Sequence, residues 1–258
     1  MKLNTFSTQD ISNKTVLVRV DYNVPLKKKW GKWQVADTQR IDNSLPLIKE
    51  LIAARARVVL ISHLGRPKGE VKPNLSLKPV AEYLSTKRHL PVQFCPQIIG
   101  ADAKQAVENT PQGEVLLLEN LRFLPEEKKN KAEFAKKLAA LADIYINEAF
   151  STCHRAHASI DAVTRYLPAF AGLHLQQEVE NLTRLMENPA QPFIMVIGGA
   201  KISDKVEAVR NLNKVASMVL LGGGVANNFL KAEGIETHKS YLEEDGGDGQ
   251  VNYLDLAG

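Results

Sequence analysis

The sequence predicts an α/β chain of two doubly wound, parallel-sheet domains joined by a connector helix, the second domain incomplete. Three observations predict it. Short apolar, β-branched runs bounded by turn residues recur along the chain, amphipathic stretches with helical spacing lie between them, and 258 residues exceed the commonest single-domain size.

The first run, residues 15–20, reads as a buried strand, and so do 57–61, 114–118 and 143–146. Residues 42–55 place Leu45, Ile48, Leu51 and Ile52 on one helical face, and 131–142 do the same with Phe134, Leu138 and Leu141. Alternation of this kind favours parallel strands with crossover helices on both faces of an open sheet. Residues 175–188 carry Leu175, Val179, Leu182, Leu185 and Met186 at helical spacing and stop where Asn188 meets Pro189, because proline disfavours helix in the residue before it. That helix is the expected connector. Beyond it, 193–197 and 218–221 repeat the strand pattern, each followed at once by glycines and a helical stretch. From residue 235 to 258 the text is glycine-rich and mixed polar, without a further strand–helix unit. The expected division is therefore 1–172, a connector over 173–190, and a partial domain over 191–258, with exposed apolar surface or an unpaired sheet edge in the last.

Bulk properties narrow the function. No apolar run reaches the roughly 18 residues of a membrane span, and the amino terminus lacks a hydrophobic secretory stretch, so a cytoplasmic chain with no membrane partner is expected. Two cysteines, Cys95 and Cys153, are too few for a disulfide framework. A net charge of +4 favours small anionic partners and gives no case for nucleic acid. Lys27, Lys28, Lys29, Lys128, Lys129 and Lys131 read as solvated surface.

The chemistry gathers after the strands, because side chains at the carboxyl ends of parallel strands converge on one crevice. The first strand exits into Asp21 and Asn23, both able to bond hydroxyl groups. The second exits into His63, Gly65 and Arg66, the third into Arg122, and the fourth into a segment holding Ser151, Cys153, His154, Arg155 and His157. Arg40 precedes the first helix. Four arginines (Arg40, Arg66, Arg122 and Arg155) thus arrive separately in sequence at one end of the sheet, each with a fork matched to carboxylate or phosphate oxygens. The crowded Cys153, His154 and His157 match no structural zinc spacing, so no protein-held metal is expected. In the second domain, Gly198 to Lys205 and Gly222 to Gly224 follow strands directly, where glycines permit backbone approach to phosphates. Neither segment fits the Walker or dinucleotide spacing. Lys201 and Lys205, four apart, would share one face of an opening helical turn.

Six ordered segments, RVDYNVP, HLGRP, LLLENLRF, NEAFSTCHRAHAS, GGAKISDK and LGGGVANNF, closely resemble the phosphoglycerate kinase family over roughly residues 10 to 240. The resemblance implies two Rossmann-like domains, a glycerate-binding one and a nucleotide-binding one, in a monomeric glycolytic hinge enzyme. It would move a phosphoryl group from 1,3-bisphosphoglycerate to ADP, giving 3-phosphoglycerate and ATP, with Mg2+ carried on the nucleotide. Matched motif to motif, Asp21 and Asn23 would bond the hydroxyl and carboxylate region, His63, Arg66, Arg122 and Arg155 the 3-phosphate, and Arg40 the reacting carboxyl. Gly199, Lys201, Lys205, Gly222 and Gly223 would lie on the nucleotide side, with Lys201 and Arg40 as the catalytic pair. Two positions depart from the family pattern: Glu148 stands where aspartate is usual and Ser151 where glycine is common. Family members continue through further strand–helix units that carry another glycine-rich loop and a magnesium-positioning aspartate. The alternative expectation is thus a catalytically impaired chain that only binds 3-phosphoglycerate.

Overall fold

The computed structural model describes residues 3–203 and 205–243. The chain separates into two compact units, Met1–Val179 and Glu180–Gly258, divided inside the helix Leu173–Glu187.

In the first unit, β1 (Thr15–Arg19) is followed by a two-stranded antiparallel ribbon, β2 (Leu26–Lys29) and β3 (Lys32–Val35). Then come β4 (Arg57–Ile61), β5 (Val92–Cys95), β6 (Val115–Leu118), β7 (Ile144–Asn147) and β8 (Ala169–Ala171). Apart from the ribbon these form one six-stranded parallel sheet in the order β5-β6-β4-β1-β7-β8. The α/β class is as the sequence predicts. The chain leaves β1 toward β4 on one side and leaves β7 toward β8 on the other. Connections that part in this way open a crevice beyond the carboxyl ends of the strands.

Successive strand residues face opposite sides of the sheet, and both sides are covered. Val16, Val18, Val58, Leu60, Leu117 and Ile146 pack in one core with Leu47, Ile48 and Leu51 of the helix Leu45–Ala53 and with Val80 and Leu84 of Lys78–Arg88. Leu17, Val59, Ile61, Leu116, Leu118 and Tyr145 pack in the other with Ala103 and Val107 of Ala101–Asn109 and with Phe134 and Leu138 of Ala132–Ala139. Burial on both faces explains why these strands read as unbroken apolar runs. The helix expected over 42–55 is two pieces, Gln39–Asp42 and Leu45–Ala53, the second with Pro46 in its first turn, where the missing N–H costs nothing.

In the second unit, β9 (Ile194–Gly199) and β10 (Met218–Gly222) pair in parallel, followed by the helices Val206–Leu212 and Gly223–Ala232 respectively. Ile194, Val196, Met218 and Leu220 are exposed along one face of this pair. The sequence reading of 235–258 lies mostly outside the described residues, which end at 243.

Candidate functional site

The loops that leave β1, β4, β6 and β7 surround a cavity of about 250 Å³. All seven residues read from the first-domain motifs border it: Asp21, Asn23, Arg40, His63, Arg66, Arg122 and Arg155, joined by Gly65, Ser151 and Thr152.

Local hydrogen bonding fixes these loops. Asn120 is fully buried, accepts from the backbone N–H of Leu64 and of Arg122 at 3.1 Å each, and donates to the carbonyls of Leu64 (2.7 Å) and Leu75 (2.9 Å). One amide therefore ties the loop after β4 to the loop after β6. Asn23 Oδ1 accepts from the Gly65 N–H at 2.9 Å, and Arg122 Nη1 donates to the Gly65 carbonyl at 2.8 Å. Gly65 has φ +62, and a Cβ there would lie 2.8 Å from Leu75 Cδ2, so the turn requires glycine.

At the other side, Asp21 Oδ2 accepts from Arg40 Nη1 and from Ser151 Oγ, each at 2.6 Å. Asp21, Arg40 and Ser151 also border a neighbouring cavity of about 260 Å³ whose far wall includes Glu148, His174 and Glu178. Glu148 is buried, and both carboxylate oxygens lie 3.1 Å from the His174 N–H at the start of the helix Leu173–Glu187. Burial pushes its pKa up to about 7, against the lowering effect of backbone N–H donors.

Positive charge dominates the first cavity. Arg122 is buried, its pKa lowered by burial and then by Arg155 and Arg19. His63 is depressed to about 2 by burial, then by Arg19, Arg122, His157 and Arg155. His157 falls to about 4 for the same kinds of reason. Both rings are therefore neutral near pH 7. Arg122 Nε and His157 Nδ1 are buried polar atoms without a partner, which is costly unless an anion or water completes them. Arg66 and Arg155 are exposed, and Arg155 Nε lies 3.0 Å from His154 Nε2. Such a concentration of guanidinium groups suits a compact dianion.

Two residues had no role in the sequence reading. Arg19 is fully buried beneath the cavity, and its signal was an arginine inside an apolar strand, a position rarely tolerated unless paired. Ser151, which departs from the family pattern, engages Asp21 through its hydroxyl.

In the second unit, Gly199 ends β9 and bridges to Gly223, whose φ is +63 and whose missing Cβ would sit 3.0 Å from the Gly199 carbonyl oxygen. Gly222 caps the helix that Gly223 opens. The Lys205 ammonium packs beside Gly199, 3.0 Å from where a Cβ would be. The shared helical face expected for Lys201 and Lys205 is not formed. The helix begins only at Val206, with Lys205 as its N-cap, and Lys201 is exposed in the preceding loop. Ser203 instead bonds Glu243 through its N–H (2.9 Å) and hydroxyl (2.6 Å), holding this stretch as a loop. Among the described residues no group of three His, Cys, Asp or Glu side chains is disposed to hold a metal ion, and no helix is long and apolar enough to cross a membrane.

The family model for phosphoglycerate kinase matches residues 6–257. The chain is 49% identical over 241 residues to the phosphoglycerate kinase of Moorella thermoacetica, covering 93% of this chain and 60% of that protein. It is 47% identical over 255 residues to that of Thermomicrobium roseum, covering 99% and 64%. The structure of phosphoglycerate kinase from Coxiella burnetii superposes with a TM-score of 0.82 at 38% identity, covering 99% of this chain and 62% of that one. The chain thus spans about three fifths of the length of these relatives. From the model match and these identities, the chain belongs to the phosphoglycerate kinase family.

Proposed function

We propose that the chain serves phosphoryl transfer between 1,3-bisphosphoglycerate and ADP, giving 3-phosphoglycerate and ATP. The observation that carries this reading is the single cavity bordered by four arginines, one histidine, Asp21 and Asn23. On this reading His63, Arg66, Arg122 and Arg155 hold the 3-phosphate, Asp21 and Asn23 the hydroxyl and carboxylate region, and Arg40 the reacting carboxyl. Gly199, Lys205, Gly222 and Gly223 lie toward the nucleotide and Lys201 toward the transferred group. An oxygen of the ADP β-phosphate attacks the acyl phosphorus, the bond from phosphorus to the acyl oxygen breaks, and the electron pair leaves as the carboxylate of 3-phosphoglycerate. No covalent enzyme intermediate is needed, so positioning and charge stabilisation supply the rate. Arg40 stabilises the carboxylate that develops, and Lys201 the equatorial phosphoryl oxygens. Magnesium enters as part of the nucleotide substrate.

The glycerate-side and nucleotide-side residues belong to different units, 1–172 and 191–258 in this reading, so transfer requires a hinge, for which residues 173–190 are the candidate. The same reading takes the protein as a monomer of the cytoplasm acting in glycolysis.

Isothermal titration with 3-phosphoglycerate and then magnesium-ADP, beside a coupled turnover assay, tests the proposal. Binding of both with turnover supports it. Glycerate binding alone favours a 3-phosphoglycerate-binding module, and a folded chain that binds neither overturns the site.

A further inference from the structure

We propose that Arg19 is a positioning residue that fixes the tautomer of His63, so that the imidazole always turns an Nε2–H toward the crevice. Its biological meaning rests on the glycerate reading above, whereas its geometry does not.

Arg19 ends β1 and is fully buried. A guanidinium carries only N–H donors and no acceptor. Arg19 Nε donates to Ser159 Oγ at 3.0 Å, Nη1 donates to the Val20 carbonyl, and Nη2 lies 3.0 Å from His63 Nδ1. Since Arg19 donates only, Nδ1 must offer its lone pair, and the proton of the neutral ring then sits on Nε2. An imidazolium would set two N–H groups against each other across the same 3.0 Å. Among the described residues His63 Nε2 has no protein partner, yet the buried unpaired side-chain atoms there are Arg122 Nε and His157 Nδ1. Nε2 therefore reaches solvent, and the opening that His63 borders is the arginine-lined cavity.

The other end of the chain of bonds is equally directional. Ser159 Oγ accepts from Arg19 and donates to Glu127 Oε1 at 2.6 Å, and the Ser159 N–H donates to Glu127 Oε2 at 3.0 Å. Glu127 is fully buried. An acceptor-only carboxylate and a donor-only guanidinium leave the hydroxyl between them one orientation. The charged and titratable groups that face His63 besides Arg19 are Arg122, Arg155 and His157, all of which disfavour a second proton on the ring. The device thus presents a neutral, constant donor to the ligand. Such a donor gives a stronger hydrogen bond to an ionised phosphoryl oxygen than to a neutral hydroxyl oxygen at the same point, so it favours a phosphomonoester dianion over an unphosphorylated hydroxy acid.

Long-range proton–nitrogen NMR of the chain labelled at histidine nitrogen, with the His63 signal assigned by its loss in His63→Gln, tests this directly. The expected result is an unprotonated Nδ1, a protonated Nε2, and no titration between about pH 5 and 8. An Nδ1–H tautomer, or a ring that titrates in that range, overturns the proposal. In Arg19→Met, or in Arg19→Gln where the first variant does not fold, the donor-only partner of Nδ1 is gone, both tautomers appear and the ring titrates. Affinity for 3-phosphoglycerate in that variant weakens about tenfold at high pH and partly recovers as the freed imidazole gains a proton. A variant ring that keeps the wild-type tautomer also refutes the role of Arg19. Loss of 3-phosphoglycerate binding alongside the expected wild-type tautomer would count against the proposed function alone.

Discussion

Replacing Glu148 with glutamine changes how the stability of the first unit depends on pH. Glu148 is 3% exposed and its carboxylate meets the amino end of the helix Leu173–Glu187. Its pKa rises from the ordinary 4.5 to about 7, so between those values the folded state holds a proton that the unfolded state has released. Stability contributed by this group is therefore full below about pH 4.5 and is lost as pH rises toward 7. At about 1.4 kcal/mol for each pH unit crossed in that window, the loss amounts to about 3 kcal/mol. His63 and His157 act with the opposite sign, because their depressed pKa values remove stability as pH falls below their ordinary 6.5. They are common to both proteins and cancel in the difference. The assay is urea unfolding of wild type and Glu148→Gln at several pH values. Tryptophan fluorescence reports on the first unit alone, since Trp30 and Trp33 are the chain's two tryptophans. The wild-type advantage over the variant should shrink steadily across that window and level off above it. Parallel profiles, or an advantage that grows with pH, would refute the reasoning.

Four further outcomes are expected. Arg40→Ala should lower turnover, where turnover is measurable, by about 10²-fold while changing 3-phosphoglycerate affinity less, because its proposed contact strengthens as the carboxylate forms; an equal loss in both would assign it to ground-state binding. Arg66→Ala and Arg122→Ala should each weaken 3-phosphoglycerate binding by about 10- to 100-fold in titration calorimetry, the cost of one charge-assisted contact, and wild-type affinity in both would remove them from the site. Ser151→Gly should tighten binding about fivefold, since the hydroxyl that occupies Asp21 Oδ2 at 2.6 Å is then gone; weaker binding would make Ser151 a ligand contact. Gly223→Ala should destabilise the second unit by about 1–3 kcal/mol, measured by hydrogen exchange of the β9 amides, because a Cβ meets the Gly199 carbonyl at 3.0 Å and φ is +63; unchanged exchange would deny the close approach.

The central strands were legible because β1, β4, β6 and β7 are buried on both faces and spell continuous apolar runs. The edges were not. β5 pairs only with β6 and alternates in exposure, and β8 is three residues long, so neither offers such a run. The ribbon β2–β3 was hidden by Lys27, Lys28 and Lys29, which are exposed while their backbone is paired. Its turn is made by Trp30 (φ 50) and Gly31 (φ 79) in place of the usual Asn-Gly, so the hairpin signal was weak. In the site, the meeting of Arg66, Arg122 and Arg155 followed from topology, because a parallel sheet sends every strand's exit to one end, whereas Arg40, in the short helix Gln39–Asp42, joins them through its bond to Asp21. The shared face read for Lys201 and Lys205 does not form, because spacing by four argues for it only once a helix exists, and the bonds from Ser203 to Glu243 hold a loop there. The partners of Arg19 were invisible for a different reason. Ser159 and Glu127 lie far along the chain, and no local pattern links them to a strand residue.

The two histidines beside the arginines illustrate how this crevice keeps its charge constant. A free imidazole titrates near neutrality, so a ring among the ligand contacts would ordinarily make affinity vary with small changes in pH. Here burial and the neighbouring Arg19, Arg122 and Arg155 hold His63 and His157 neutral far below that range. The guanidinium groups do not titrate under the same conditions. The positive charge available to an anion is then set by arginine alone, and the titrations left near neutrality are the second ionisation of the phosphate, near pH 6, and that of Glu148 in the neighbouring cavity, near 7. In Glu148→Gln, affinity for 3-phosphoglycerate should therefore rise from about pH 5 to 7 and flatten above it, following the ligand. A sulfate-ester analogue, which has no such ionisation, should bind that variant with nearly constant affinity over the same range. An affinity of Glu148→Gln for the sulfate ester that falls as pH rises through neutrality would place a titrating histidine back in the site and break the argument.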